Sequence, residues 1–261
     1  MLIELYMKIL IGNTGLVGQT LKETIKFDLE FNSKNISDFG NHNIDGSELW
    51  LSCLPATKWM VNKNIKSDIE NIMSIINTIS KFKYSKIILI STIDVYTNSP
   101  SKVSENYPIN FDKLNYGSNR YLFEKLILEF IEFDDLKIFR LPSLFNKKIK
   151  KNILFDLLNN NNIELININS SFQWYNLDRL SLDIEKCISE FPEEITFNLF
   201  TEPIETKEIV NLFPNMIDKV TYKGDRIDYN FTTKFNKLEY ILTKEEVLND
   251  IRKFINEYIS K

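Results

Sequence analysis

Apolar positions along the chain alternate between two rhythms. Short runs, Ile9 to Ile11, Leu49 to Leu54, Lys86 to Ser91 and Leu136 to Leu141, have the length and continuity of buried strands. Phe27 to Ser33 alternates apolar and polar residues and reads as one more strand. Between the runs, Leu16, Val17, Leu21 and Ile25 recur at helical spacing, as do Ile69, Ile72, Ile75, Ile76 and Ile79 within Ile65 to Phe82. Residues 36–48 are polar and read as loop, as do 98–115, and a helix is predicted over 116–133. Pro55 and Pro142 each stop a strand. Strand and helix keep alternating, which predicts an α/β fold, a Rossmann-type doubly wound parallel sheet. Beyond Phe145 the pattern turns Lys- and Asn-rich around one amphipathic turn, Ile153 to Leu158. The expected organisation is a first domain over 1–145 and a small C-terminal lobe over 146–261. Segments 171–178 and 196–200 are expected to return to the first domain. Helices are predicted at 180–191, 207–212 and 244–260.

Glycine changes this picture most. The chain has 7 glycines, and Gly12, Gly15 and Gly18 fall between the first strand and the first helix. Such a turn lets backbone approach a phosphate at a helix N-terminus. Gly12, Asn13, Thr14, Gly15, Leu16, Val17 and Gly18 are therefore candidates to hold a dinucleotide pyrophosphate, the alternative being an ordinary βα turn. An NAD site places an acid about 20 residues past the first glycine, on the ribose hydroxyls. Here Asn32 stands there, followed by Ser33 and Lys34. An uncharged tip, a hydroxyl and a cation favour NADP(H), with NAD(H) as the alternative, and Lys34 is alternatively a solvated loop residue. Ligands of an open α/β sheet bind outside the carboxyl ends of its strands. That places Cys53, Leu54, Pro55 and Ser91 beside a cofactor, and Thr92 and Asp94 where chemistry would occur.

Charge and cysteine content remove other classes. A net charge of -4 without a basic stripe argues against nucleic-acid binding. The single histidine, His42, lies in a polar stretch, and Cys53 and Cys187 are far apart in sequence. No zinc pattern and no Ser-His-Asp hydrolase follows from these residues. Two separated cysteines suit a reducing cytoplasm. No membrane span is expected, because the longest apolar runs are strand-sized. Met1 to Tyr6 contains Glu4 and no basic region, so it does not read as a secretory leader, and Met7 is an alternative start.

Four features in this order resemble the extended short-chain dehydrogenases/reductases of the NAD-dependent epimerase/dehydratase family. They are Gly12-x-x-Gly15-x-x-Gly18, Ser91-Thr92-x-x-Val95-Tyr96, Tyr116-x-x-x-Arg120 with Glu124 behind it, and Arg140-Leu141-Pro142-Ser143. The resemblance spans nearly the whole chain. It implies a cytoplasmic, homodimeric enzyme that acts on a nucleotide-linked sugar in surface-polysaccharide synthesis, as a reductase or an epimerase. It implies Tyr116 as proton-exchanging residue, Thr92 as its hydroxyl partner, and Leu141, Pro142 and Ser143 beside the cofactor. The family carries lysine four residues after the tyrosine, where this chain has Arg120, and commonly glycine where it has Asn146. Arg120 keeps the charge but not the shape of an ammonium. A catalytically weak dinucleotide-binding protein is therefore the second reading. The plainer readings are a core aromatic for Tyr116 and a surface ion pair with Glu124 for Arg120. Phe172, Trp174 and Tyr175 are candidates to line the sugar nucleotide, or else an aromatic core strand.

Overall fold

The computed structural model describes residues 7–220 and 224–260, so the expectations for Met1 to Tyr6 lie outside the described residues. The chain forms two units of interleaved segments. The first comprises Met1–Ser99, Pro108–Arg140 and Leu180–Phe197, and the second Pro100–Tyr107, Leu141–Arg179 and Asn198–Lys261.

The first unit begins with β1 (Lys8–Ile11), α1 (Leu16–Leu21) and β2 (Leu29–Phe31). A 3₁₀ turn, Ile36–Asn41, then leads directly into β3 (Ser47–Leu51). Next come α2 (Lys58–Lys63), α3 (Ile65–Ile79), β4 (Lys83–Thr92), α4 (Tyr116–Phe130) and β5 (Glu132–Leu141). The apolar runs became strands because both faces of this sheet are covered. Ile9, Leu49, Leu51 and Ile87 are fully buried, and Ile72, Ile75, Ile76 and Ile79 of α3 pack into the same core. β1 pairs in parallel with β2 and with β3, and β3 in parallel with β4.

Four elements of the second unit follow: β6 (Ser143–Phe145), α5 (Ile153–Asn159), β7 (Ser171–Phe172) and β8 (Trp174–Asn176). The chain then gives the first unit α6 (Leu180–Glu190) and β9 (Thr196–Asn198). β9 completes a six-stranded sheet of order β2-β1-β3-β4-β5-β9. The classic dinucleotide order has one more strand outside β2. Here the polar stretch after β2 supplies only the 3₁₀ turn, so β2 is the edge strand. The order still reverses between β1 and β3, and such switch points are where ligands bind.

The second unit closes with β10 (Ile204–Glu205), α7 (Thr206–Val210) and α8 (Lys244–Ile259). β6 pairs in parallel with β8, and β7 antiparallel with β10. Segment 171–178 therefore belongs to the second unit, not to the first as expected, because its strands find partners there. Conversely α6, expected in the C-terminal lobe, lies in the first unit. A buried amide ties the second unit together: Gln173 donates to Thr201 O at 2.6 Å and Phe231 O at 2.8 Å, and accepts from Phe231 N at 2.9 Å. α8 starts at a capping box of Thr243 and Glu246. No described helix is long and apolar enough to cross a membrane.

Candidate active site

The three glycines do different work. Gly12 has φ +104°, and a Cβ there would lie 2.4 Å from Ser52 O. A Cβ on Gly18 would lie 2.2 Å from Gly12 O. Both positions are closed by backbone, one for the turn after β1 and one for packing α1 against it. Gly15 is different, since a Cβ would meet nothing nearer than Gly12 O at 3.5 Å. The fold tolerates a side chain at Gly15, so its absence leaves room for something else. An open position here is what the expected pyrophosphate at the start of α1 requires. Gly12 N donates to Phe31 O at 2.8 Å, which locks the turn to the end of β2.

That end of β2 is also built by side chains. Asn32 Nδ2 donates to Asn13 Oδ1 at 3.1 Å, and Asn32 Oδ1 accepts from Lys34 N at 2.9 Å. Ser33 and Lys34 stay exposed at the tip. An acid does stand on this strand, two residues before the expected place. Glu30 accepts from Asn13 Nδ2 at 2.9 Å and pairs with Lys22. Burial pushes the Glu30 carboxyl up, but the hydrogen bonds from Lys22 and Asn13 outweigh it and leave it below the usual carboxylate range.

The carboxyl end of β4 carries Thr92. Its hydroxyl accepts from Asp94 N at 3.2 Å and donates to Asp94 Oδ2 at 3.4 Å. Lys58, at the start of α2, pairs with Asp94 at 2.6 Å. α4 begins just where it must to present Tyr116. Asn115 accepts from Ser118 N at 2.9 Å, and Ser118 Oγ accepts from Asn115 N at 2.7 Å, a capping box. Tyr116 N finds Asn62 Oδ1 at 2.8 Å. Gly117 lets this first turn press on the segment after β4, since a Cβ there would lie 2.0 Å from Asp94 O.

Arg120 lies one turn further, with its guanidinium 4.5 Å from the centre of the Tyr116 ring. It forms a two-pronged pair with Asp68 of α3, at 2.8 and 3.1 Å, and donates to Pro55 O at 2.8 Å. Both side chains are almost wholly buried. Asn119 donates to the same carboxylate at 2.8 Å. Burial raises the Tyr116 hydroxyl, Arg120 pulls it down and Asp94 pushes it up, with a net rise above the ordinary phenol value. Cys53, half-buried overall, packs against the core, and burial pushes its thiol up to about 12.

The first unit thus brings Thr92, Asp94, Tyr116 and Arg120 to the segments that follow β3 and β4. Ser91 instead donates to Glu124 at 2.5 Å. Glu124 is held by Arg140 at 2.6 and 3.1 Å, and Arg140 also donates to the Tyr96 hydroxyl at 2.5 Å. Glu124 is therefore not the partner of Arg120. Leu141, Pro142 and Ser143 fall in the second unit, where Ser143 N donates to Gln173 O at 3.0 Å. Trp174 and Tyr175 fill the second unit's core, and Phe172 remains half-buried between Trp174 and Tyr229. Sequence reasoning missed Asp68, Lys58 and Gly117. Two of them left a signal: Asp68 falls on the apolar stripe of α3, and Gly117 interrupts the first turn of a helix.

No protein-family model matches the chain, and no curated protein matches it in sequence. Solved structures do. MoeE5 in complex with UDP-glucose and NAD matches with a TM-score of 0.72 and 12% identity, over 97% of this chain and 98% of that one. The chain shares the Rossmann-type α/β fold of this structure. The dTDP-4-dehydrorhamnose reductase of Yersinia enterocolitica has the same fold, with a TM-score of 0.69 and 11% identity over 97% of this chain and 99% of that one. So does the UDP-N-acetylglucosamine 4-epimerase of Bacillus cereus, at 0.66 and 14%, over 96% and 98%. At these identities the likeness is one of fold alone.

Proposed function

We propose that the protein is an NADP(H)-dependent reductase or epimerase acting on a nucleotide-activated keto or deoxy sugar, in surface-polysaccharide synthesis in the cytoplasm. The observation that carries this reading is the pairing of the Tyr116 and Thr92 elements at the end of β4 with an open position at Gly15. Its fold neighbours include a complex with UDP-glucose and NAD and a dTDP-sugar reductase, which supports the substrate class. Bound at the glycine turn, the dinucleotide supplies a hydride. Tyr116 gives a proton to the sugar's carbonyl oxygen, and the Thr92 hydroxyl turns from its 3.4 Å contact with Asp94 Oδ2 to donate to the same oxygen. Phe172 is the aromatic left with surface for the sugar nucleotide.

For the cofactor, the uncharged Asn32 with Ser33 and Lys34 at the exposed tip supports NADP(H), and Glu30 is already occupied by Lys22 and Asn13. NADPH should bind more tightly than NADH by calorimetry, and Lys34→Ala should narrow the gap about tenfold. Tighter binding of NADH would reverse this preference. α3 and α4 leave Met73, Leu128 and Phe130 exposed, which supports pairing of two copies through these helices. A dimer mass by light scattering is expected.

The test of the reaction is stereospecific deuteride transfer from labelled NADPH to a panel of nucleotide keto sugars, with Tyr116→Phe lowering the rate by about 10²–10⁴-fold. A second reading, a dinucleotide-binding protein without turnover, is favoured by the engagement of Arg120 with Asp68. Tight NADPH binding with no transfer to any sugar would select it.

A further inference from the structure

The reading of Tyr116 as a proton-exchanging residue leaves open which way the proton moves at rest, and the surroundings of Arg120 bear on this. A cation beside a phenol favours the phenolate only to the extent that its charge is unopposed. Arg120 is opposed at contact distance. Asp68 takes both prongs of its guanidinium, at 2.8 and 3.1 Å, and is almost wholly buried with it. Seen from Tyr116, the guanidinium still pulls the hydroxyl down, and Asp68 opposes that pull. The guanidinium is also fixed in place by Pro55 O at 2.8 Å. The other charges that face the ring do not favour the phenolate either. Asp94, on the segment after β4, is an acid whose charge Lys58 of α2 offsets at 2.6 Å. Burial of the ring itself works in the same direction.

We propose that Asp68 is a positioning residue of this site: by holding Arg120 in place and opposing its charge it adds to burial in keeping Tyr116 a neutral hydroxyl, committing the site at neutral pH to donating a proton to a carbonyl oxygen. In that direction the books balance. The carbonyl carbon takes a hydride from a reduced nicotinamide dinucleotide, which is oxidised, and the carbonyl oxygen takes the Tyr116 proton and becomes an alcohol. The phenolate left behind recovers its proton from water. The reverse reaction starts from a resting phenolate and opens only at alkaline pH. This inference rests on the reading of Tyr116 given above, yet it is tested without any substrate.

The experiment is an ultraviolet titration of tyrosinate absorbance, read as the difference between the native protein and Tyr116→Phe. In the native protein the Tyr116 phenolate should be absent below about pH 10, the ordinary range for tyrosine. Asp68→Asn removes the acid and leaves Arg120 unopposed, so the Tyr116 transition should move down by about 1–3 units. Asp68→Asn combined with Arg120→Gln removes both charges and leaves burial dominant, so the transition should lie at or above its native position. Ionisation of Tyr116 below about pH 8 in the native protein overturns the proposal. So does a folded Asp68→Asn protein with an unmoved transition, which would leave Asp68 with a packing role only. Should Asp68→Asn fail to fold, Arg120→Gln compared with the double variant isolates Asp68: a higher transition with Asp68 present supports the proposal, and equal transitions overturn it. Failure of the keto-sugar assay, by contrast, would remove the enzymatic reading and leave the titration result standing.

Discussion

Arg120 shows how far a single residue's role depends on partners that the sequence does not display. Its i,i+4 neighbour Glu124 is the obvious partner on a helix. Glu124 instead binds Arg140 and Ser91, and Arg120 reaches across to Asp68. Both acids sit on buried helix stripes, Asp68 with Ile72, Ile75 and Ile79, and Glu124 with Phe123 and Ile127. An acid on an apolar stripe was legible as a buried charge needing a cation. Which cation was not legible, because that depends on how α3, α4 and β5 meet. The geometry also changes what restoring the family lysine should do. A lysine offers one ammonium where Asp68 and Pro55 O together take three hydrogen bonds from the guanidinium. Arg120→Lys should destabilise the protein by about 2–4 kcal/mol, and Arg120→Gln by about 3–5 kcal/mol, because a buried carboxylate loses its partner. Urea unfolding checks this, and an unchanged midpoint for Arg120→Gln would mean that the pair contributes nothing to stability.

At the scale of elements, the strands and helices of the first unit were legible because their apolar periods are clean. Their ends moved by a few residues, as at Ile65–Ile79 and Lys83–Thr92, where caps and pairing decide. The second unit was less legible. Its strands have two or three residues each and carry no measurable period. Among the site's elements the glycine turn gives the sharpest prediction. Gly15→Val should leave the fold intact, since ordinary contact distances surround the added atoms, and should abolish dinucleotide binding. Gly18→Val should unfold the turn instead, because its Cβ would lie 2.2 Å from Gly12 O. Calorimetry with NADPH, alongside circular dichroism of both variants, separates the outcomes. Retained affinity in a folded Gly15→Val protein would remove the pyrophosphate from this turn.

For the whole molecule, buried neutral acids set the response to alkali. Burial raises the Cys53 thiol from 9.0 to about 12, and it raises the Tyr84 and Tyr116 hydroxyls above the usual 10.0. The unfolded chain gives up these protons first. Stability from the three groups is therefore full below about pH 8.5 and falls as pH rises through the folded values. The urea midpoint should drop between about pH 9 and 11, and Cys53→Ala should flatten the early part of that drop. A flat profile across this range would contradict the burial of these groups. The interleaving of the two units has a consequence for synthesis. The sixth strand of the main sheet, β9, leaves the ribosome some fifty residues after the chain has re-entered its second unit at Leu141. Until then the outer edge of β5 is bare, with Ile138 N lacking Ile195 O and Lys137 lacking Pro192 O. A ten-residue strand with an uncovered edge invites pairing with another chain. A fragment ending at residue 145 should therefore aggregate, whereas one ending at residue 200 should keep the sheet soluble, and the nascent chain should depend on a chaperone until β9 has emerged.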